Sequence, residues 1–147
     1  MRRRDESGQL TVMVIGFVVI VLLMVTVMAN ASKAFLHRRS LSSWADGAAL
    51  VAAQSVSEAA VYAGELGDVV PLAEGEARSA VSGYVSRHGL PGRFTQFSVA
   101  TVTVDPAGQT VTVTFAARVP LVWTNETTPF GGGVPISAEA TAVAIVR

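Results

Sequence analysis

The uncharged run from Ser7 to Ser32 constrains this chain more than any other feature. It is built mainly from Val, Ile, Leu, Met and Phe between Leu10 and Met28. At 1.5 Å rise per residue, about 20 helical residues cross the hydrocarbon core of a bilayer. The run is long enough to span with some tilt. The rest of the 147 residues must then be read as material that sits beside a membrane or crosses it. That remainder amounts to one small domain. A domain of about 80 residues has a thin core and leans on a partner or on an attached helix.

Charge and cysteine content narrow the function classes. Lys and Arg total 11, as do Asp and Glu, so the formal net charge is zero. No overall field draws the chain to nucleic acid, and no nucleic-acid partner is expected. The absence of cysteine excludes disulfides, thiol nucleophiles and thiolate metal sites. It does not fix the redox compartment.

Orientation and processing follow from the flanks of the apolar run. Arg2, Arg3 and Arg4 precede it, and Lys33, Arg38 and Arg39 follow. The positive-inside rule counts these cations and nearly ties. A cytoplasmic N-terminus with an exported C-terminal part is the favoured arrangement, because the short basic tail suits the retained side. Two cleavage signals compete with a retained anchor. Ala29-Asn30-Ala31 has the small-x-small pattern of a signal peptidase site. The apolar stretch before it exceeds the usual signal core of about 7–15 residues, which favours an uncleaved anchor. Gly8, followed by Gln9, opens the apolar helix as the cleavage glycine of type IV prepilins does. Those prepilins carry Glu at the fifth position after the cut, where this chain has Met13.

Helix-forming sequence continues beyond the apolar run. No proline occurs from Ala34 to Glu65, and alanine dominates from Ala45 to Ala63. Leu41, Trp44, Ala48, Val51 or Ala52, and Ser55 or Val56 recur at steps of three and four, a stripe of mostly small side chains. Small residues admit a close neighbouring backbone. The pattern predicts one helix from Leu10 to Ala63, about 80 Å long, with Ser40–Ser43 or Gly47 as places where it would break. Gly64, Gly67 and Pro71 are read as its stop.

A second helix is predicted over Leu72–Arg87, ended by Gly89-Leu90-Pro91-Gly92. Strands follow. Thr95–Val104 places Ala100, Val102 and Val104 on one side. Asp105-Pro106-Ala107-Gly108 is a turn. Thr110–Val119 alternates, with Val111, Val113, Phe115, Ala117 and Val119 on one face. A loop from Pro120 to Pro135 leads to a third strand, Ile136–Val146, whose alanines share one face. The expected class is α+β: a long transmembrane helix continuing outward, a second helix and a three-stranded antiparallel sheet backed by helix. The division is a tail (1–8), a transmembrane helix (9–32), an exported helix extension (33–66) and a small exported α+β domain (67–147).

No catalytic constellation stands out, and neither an enzyme activity nor a cofactor or metal is expected. His37 adjoins Arg38 and Arg39, and His88 closes a helix, where its charge suits the dipole. Gly131-Gly132-Gly133 precedes a strand and no lysine follows, unlike a phosphate loop. Asn125-Glu126-Thr127 is a bare glycosylation sequon. Asp46 reads either as a solvated helix position or as a polar contact to a neighbouring subunit. Trp44 reads as a packing contact with a partner or with the distal domain. Trp123 and Phe130 either form an exposed partner patch in the long loop or fold back over the core.

The block Asp5-Glu6-Ser7-Gly8-Gln9-Leu10-Thr11-Val12, the Arg38-Arg39 pair and Ser43-Trp44-Ala45-Asp46-Gly47-Ala48-Ala49-Leu50-Val51-Ala52-Ala53 together resemble the TadE/TadG-like proteins of the tight-adherence (Flp-type) pilus system. Ile136-Ser137-Ala138-Glu139-Ala140-Thr141-Ala142 is similar to the last strand of such proteins. The resemblance implies a single-pass, pilin-like envelope protein, a pseudopilin or assembly factor without enzyme activity. Met13 departs from the cleaved TadE-type members and sits better with uncleaved TadG-like ones. Expected partners are the lipid membrane and other pilin-like or Tad assembly proteins, in a homo- or hetero-oligomer. Leu41, Trp44, Asp46, Ala48, Ala49 and Ala52 are the candidate helix-packing residues, with the first helix as the main intermolecular contact. Gly8, Gln9 and Ala31 are the candidate processing positions. The competing function is a binding module, either tethered or freed by cleavage after Ala31, that uses the loop from Val119 to Pro135.

Overall fold

A computed structural model of the chain describes residues 6–63, 69–105, 110–121 and 132–144. The first element, α1 (Glu6–Ala63), is one unbroken α-helix of 58 residues. Its length is about 87 Å. Neither Ser40–Ser43 nor Gly47 interrupts it. Gly47 has a packing role instead: a Cβ there would overlap the Tyr84 hydroxyl of the next helix. Thr26, within the apolar stretch, turns its hydroxyl back to donate to the Leu22 carbonyl at 2.9 Å. That satisfies a polar group without water.

The helix ends at Ala63, next to Gly64, and α2 (Val69–His88) follows. Gly64 and Gly67 lie outside the described residues. Pro71 does not act as the stop expected of it. It lies in the first turn of α2, where a missing N–H leaves no helical bond unmade. Gly89 adopts a left-handed backbone, φ 61°, and turns the chain into a single helical turn, α3 (Leu90–Arg93). The sequence patterns gave no sign of this turn. It buries Leu90 completely.

Strands β1 (Thr95–Val104), β2 (Thr110–Val119) and β3 (Val134–Val143) form an antiparallel sheet in the order β1-β2-β3. The first hairpin closes with the Asp105 N–H donating to the Thr110 carbonyl at 2.8 Å. β2 alternates as expected, with Val111, Val113, Phe115, Ala117 and Val119 inward. β1 does not. Its pairing slips between Thr95 and Ser98 and again between Val99 and Thr101. Each slip inserts one extra residue opposite β2, the signature of a bulge. Ala100, expected inside with Val102 and Val104, is therefore exposed. β3 starts two residues earlier than predicted, and its alanines do share the inner face. Gly133, at φ 81°, takes a conformation that side chains rarely adopt, and a Cβ would strike the Val119 carbonyl.

The core lies between one face of this sheet and the outer half of α1, with α2 alongside. α1 crosses β2 and β3, while α2 packs on α1 and reaches β1. Leu41, Ala45, Ala48, Ala49, Ala52, Ala53 and Val56 of α1 meet Val111, Val113 and Phe115 of β2 and the alanines of β3. Phe115, with no exposed surface, is the largest fully enclosed side chain in this core. Phe115→Ala is expected to cost about 3–5 kcal/mol, and Ala48→Leu about 1–3 kcal/mol through overpacking. Thermal unfolding of the detergent-solubilised chain checks both, with the first variant melting well below the second.

Candidate assembly surface on the long helix

The α1 helix presents three different surfaces along its length. From Leu10 to Met28 every large apolar side chain is exposed, Met13 at 74% and Phe17 at 67%. Among the described residues no other part of the chain covers this stretch. The helix is long and apolar enough to cross a membrane. Gly8 and Gln9 are exposed within its first turn, and Ala31 is exposed in its uninterrupted middle.

From Leu41 onward the helix has an inner and an outer side. Leu41, Ala48, Ala49 and Ala52, four of the six candidate packing residues, face inward and are at most 1% exposed. The chain's own sheet and second helix occupy the small-residue face. Trp44 is half-buried and packs within the chain, its ring 6.2 Å from Tyr84 and 5.2 Å from His88. The Arg93 guanidinium lies over the Trp44 indole, 5.5 Å from its centroid. Burial raises the Tyr84 phenol above its ordinary value, so it stays protonated through neutral pH.

Asp46 is the member of the set that faces outward. It lines a shallow recess of about 460 Å³ with Phe35, Arg38, Arg39, Ser42 and Ser43. Leu50, one turn further along, is 55% exposed on the same side. This outward stripe, Phe35–Arg39–Asp46–Leu50, was hidden in the sequence because its residues are mixed in character. The signal that could have located it is negative: these positions fall between those of the alanine stripe. Trp123 and Phe130 lie outside the described residues.

His37 donates from Nδ1 to the Lys33 carbonyl at 2.9 Å, and its ring meets Phe94 at 6.4 Å. A groove of about 380 Å³ between α2 and β1 is lined by Arg78, Ser82, Ser86 and aliphatic neighbours. It holds no carboxylate, histidine or activated nucleophile. Among the described residues no group of three His, Asp or Glu side chains is placed to share a metal ion.

Comparison with known families finds a similarity on the long helix. Residues 8–55 match the family described as "Putative Flp pilus-assembly TadE/G-like". Over that segment the chain is similar to TadE/G-like proteins. The match begins at Gly8, runs through the apolar stretch and ends inside the alanine-rich face. It therefore spans both the exposed and the docked halves of α1. The sheet and α2 lie beyond it. No curated protein and no solved structure matches the chain.

The inward placement of the alanines changes what a charge there would do. Ala48→Asp or Ala52→Asp buries an unpaired carboxylate, at a cost of several kcal/mol against a domain stability of about 5–15 kcal/mol. Both variants are expected to lose the folded domain in isolation, as loss of a cooperative melt and rapid proteolysis. A stable fold in either would contradict the docked geometry.

Proposed function

We propose that the chain is a pseudopilin-like component or assembly factor of a Tad/Flp-type pilus or a related secretion apparatus. The affiliation of residues 8–55 supports an assembly role in that system. The observation that carries the finer reading is the continuity of α1. One rigid helix joins an exposed apolar segment of membrane-spanning length to a small sheet domain. This is the architecture of a subunit that leaves the bilayer as a rod and presents one side of that rod to neighbours. The N-terminal tail lies in the cytoplasm and the sheet domain is exported. The outward stripe, centred on Asp46 and Leu50, makes the lateral contact. An exposed carboxylate beside an exposed leucine gives that contact both register and apolar area.

Intact mass and N-terminal sequencing of the protein from native membranes test the anchored state. Retention of residues 9–32, in a full-length chain or one starting at Gln9, is expected. A start at Ser32 would remove the anchor and favour the secreted binding module. Lateral contact is tested by co-purification from the same membranes. Leu50→Lys, on the exposed surface, should leave the melting temperature within a few degrees of wild type. It should reduce recovery of Tad partners by about tenfold, the effect of 1.4 kcal/mol. Undiminished recovery would reject the stripe as the contact.

A further inference from the structure

The fold sorts charge along the axis of α1 in a way that the sequence order conceals. Lys33, Arg38 and Arg39 flank the apolar segment directly. The corner between α2 and β1 brings Arg93 over Trp44, 5.5 Å from the ring centroid, with Arg87 next to His88, whose ring lies 5.2 Å from Trp44. The position of that corner is fixed by Phe94 against His37, and by a recess that Arg93 and Phe94 share with Leu36, Ser40 and Trp44. The end of β2 adds Arg118, which pairs in register with Thr95. Arg38, Arg39, Arg87 and Arg93 are exposed, and Lys33 and Arg118 are half-buried. Arg118 also donates to the Gly132 carbonyl at 3.3 Å.

Among the described residues the carboxylates lie mostly at the other end. Glu58 lies beside Val143 at the far end of β3, and Asp105 beside the turn after β1. Glu74 and Glu76 fall in the N-terminal half of α2, where Glu74 meets Arg78 at 3.8 Å. Asp46 is the acidic group on the flank of α1 near the collar, and Glu139 is mid-strand on the outer sheet face. His37 and His88 stand among the six cations.

We propose that this collar binds the headgroups of anionic phospholipid in the leaflet from which α1 emerges. The inference rests on the membrane-anchored reading above. His37 stands about 7.5 Å along the helix from Ser32, within a Debye length of about 8 Å at physiological salt. Cations at that height gain from an anionic surface, and those from α2, α3 and β2 hold the sheet domain against it. A bare helix flank would supply three cations on one rod. The folded corner supplies the rest on a second side, and so sets the tilt of the domain.

The test uses the full chain reconstituted into phosphatidylcholine vesicles with and without phosphatidylglycerol, washed at alkaline pH and extracted in mild detergent, with retained lipid counted. The expected result is phosphatidylglycerol enriched at least about threefold over its share, falling to parity at high salt and in R38Q/R39Q/R87Q. R93Q alone should give a partial loss. No enrichment, or enrichment unchanged in the triple variant, overturns the collar while the chain remains in washed vesicles. Self-association that falls in the variant equally in both vesicle types also overturns it, and assigns these cations to the acidic end of a second copy. Release of the chain by the alkaline wash refutes the membrane reading itself and the collar with it.

Discussion

Close approach between α1 and the sheet, made through alanine on both sides, is the interaction on which the rest of the molecule depends. Ala45, Ala48, Ala49 and Ala52 of the helix face the alanine row of β3 and the valines of β2. Alanine loses no side-chain entropy on burial and lets backbones approach closely, so a small domain can build a dense core from little volume. The arrangement leaves few large anchors, of which Phe115, Leu41 and Leu90 are the largest that are fully enclosed. A thin core of this kind needs the outer half of α1. The sheet has its apolar face covered chiefly by that helix, so the domain is built on its own anchor rather than tethered to it.

This dependence makes α1 a mechanical continuum. The helix that carries the apolar segment is also a wall of the core, with no proline and no break between the two parts. Gly47, which could have been a hinge, is occupied by close contact with Tyr84. Force or rotation applied to the apolar end therefore reaches the sheet without a flexible joint. A subunit assembled through its helix carries its sheet domain in a fixed orientation. The outward stripe from Phe35 to Leu50 then has a defined bearing relative to the strands.

The elements that were legible in the sequence are those governed by a single period. The apolar run, the alanine helix and the alternation in β2 each follow one rule over ten or more residues. The failures have local causes. Pro71 is compatible with either end of a helix, and only the position of α2 decides between them. Ala100 lost its expected face because bulges in β1 shift the period, and bulges leave no mark in a Thr/Val-rich strand. The packing stripe from Leu41 to Ala52 was visible, but periodicity cannot say whether its partner belongs to the same chain or another. Its occupants are α2 and a sheet whose inward residues lie fifty or more positions away in sequence. Asp46 and Leu50 acquire meaning only once that inward side is taken.

Helix polarity explains why the charges separate as they do. Because α2 runs antiparallel to α1, its C-terminus points toward the apolar segment. A helix C-terminus favours cations, and Arg87 and His88 fill the last turn. The glutamates of α2 lie nearer its other end. The same choice that stabilises α2 locally thus places positive charge at the end of the domain that faces the apolar segment. β1 and β2 extend the pattern through chain reversal: Arg93 precedes β1 and Arg118 ends β2 at one edge, while Asp105 lies at the opposite one. A gradient of this kind needs no dedicated binding site. It follows from capping chemistry and antiparallel topology, and it orients the domain wherever one of its ends meets an anionic surface.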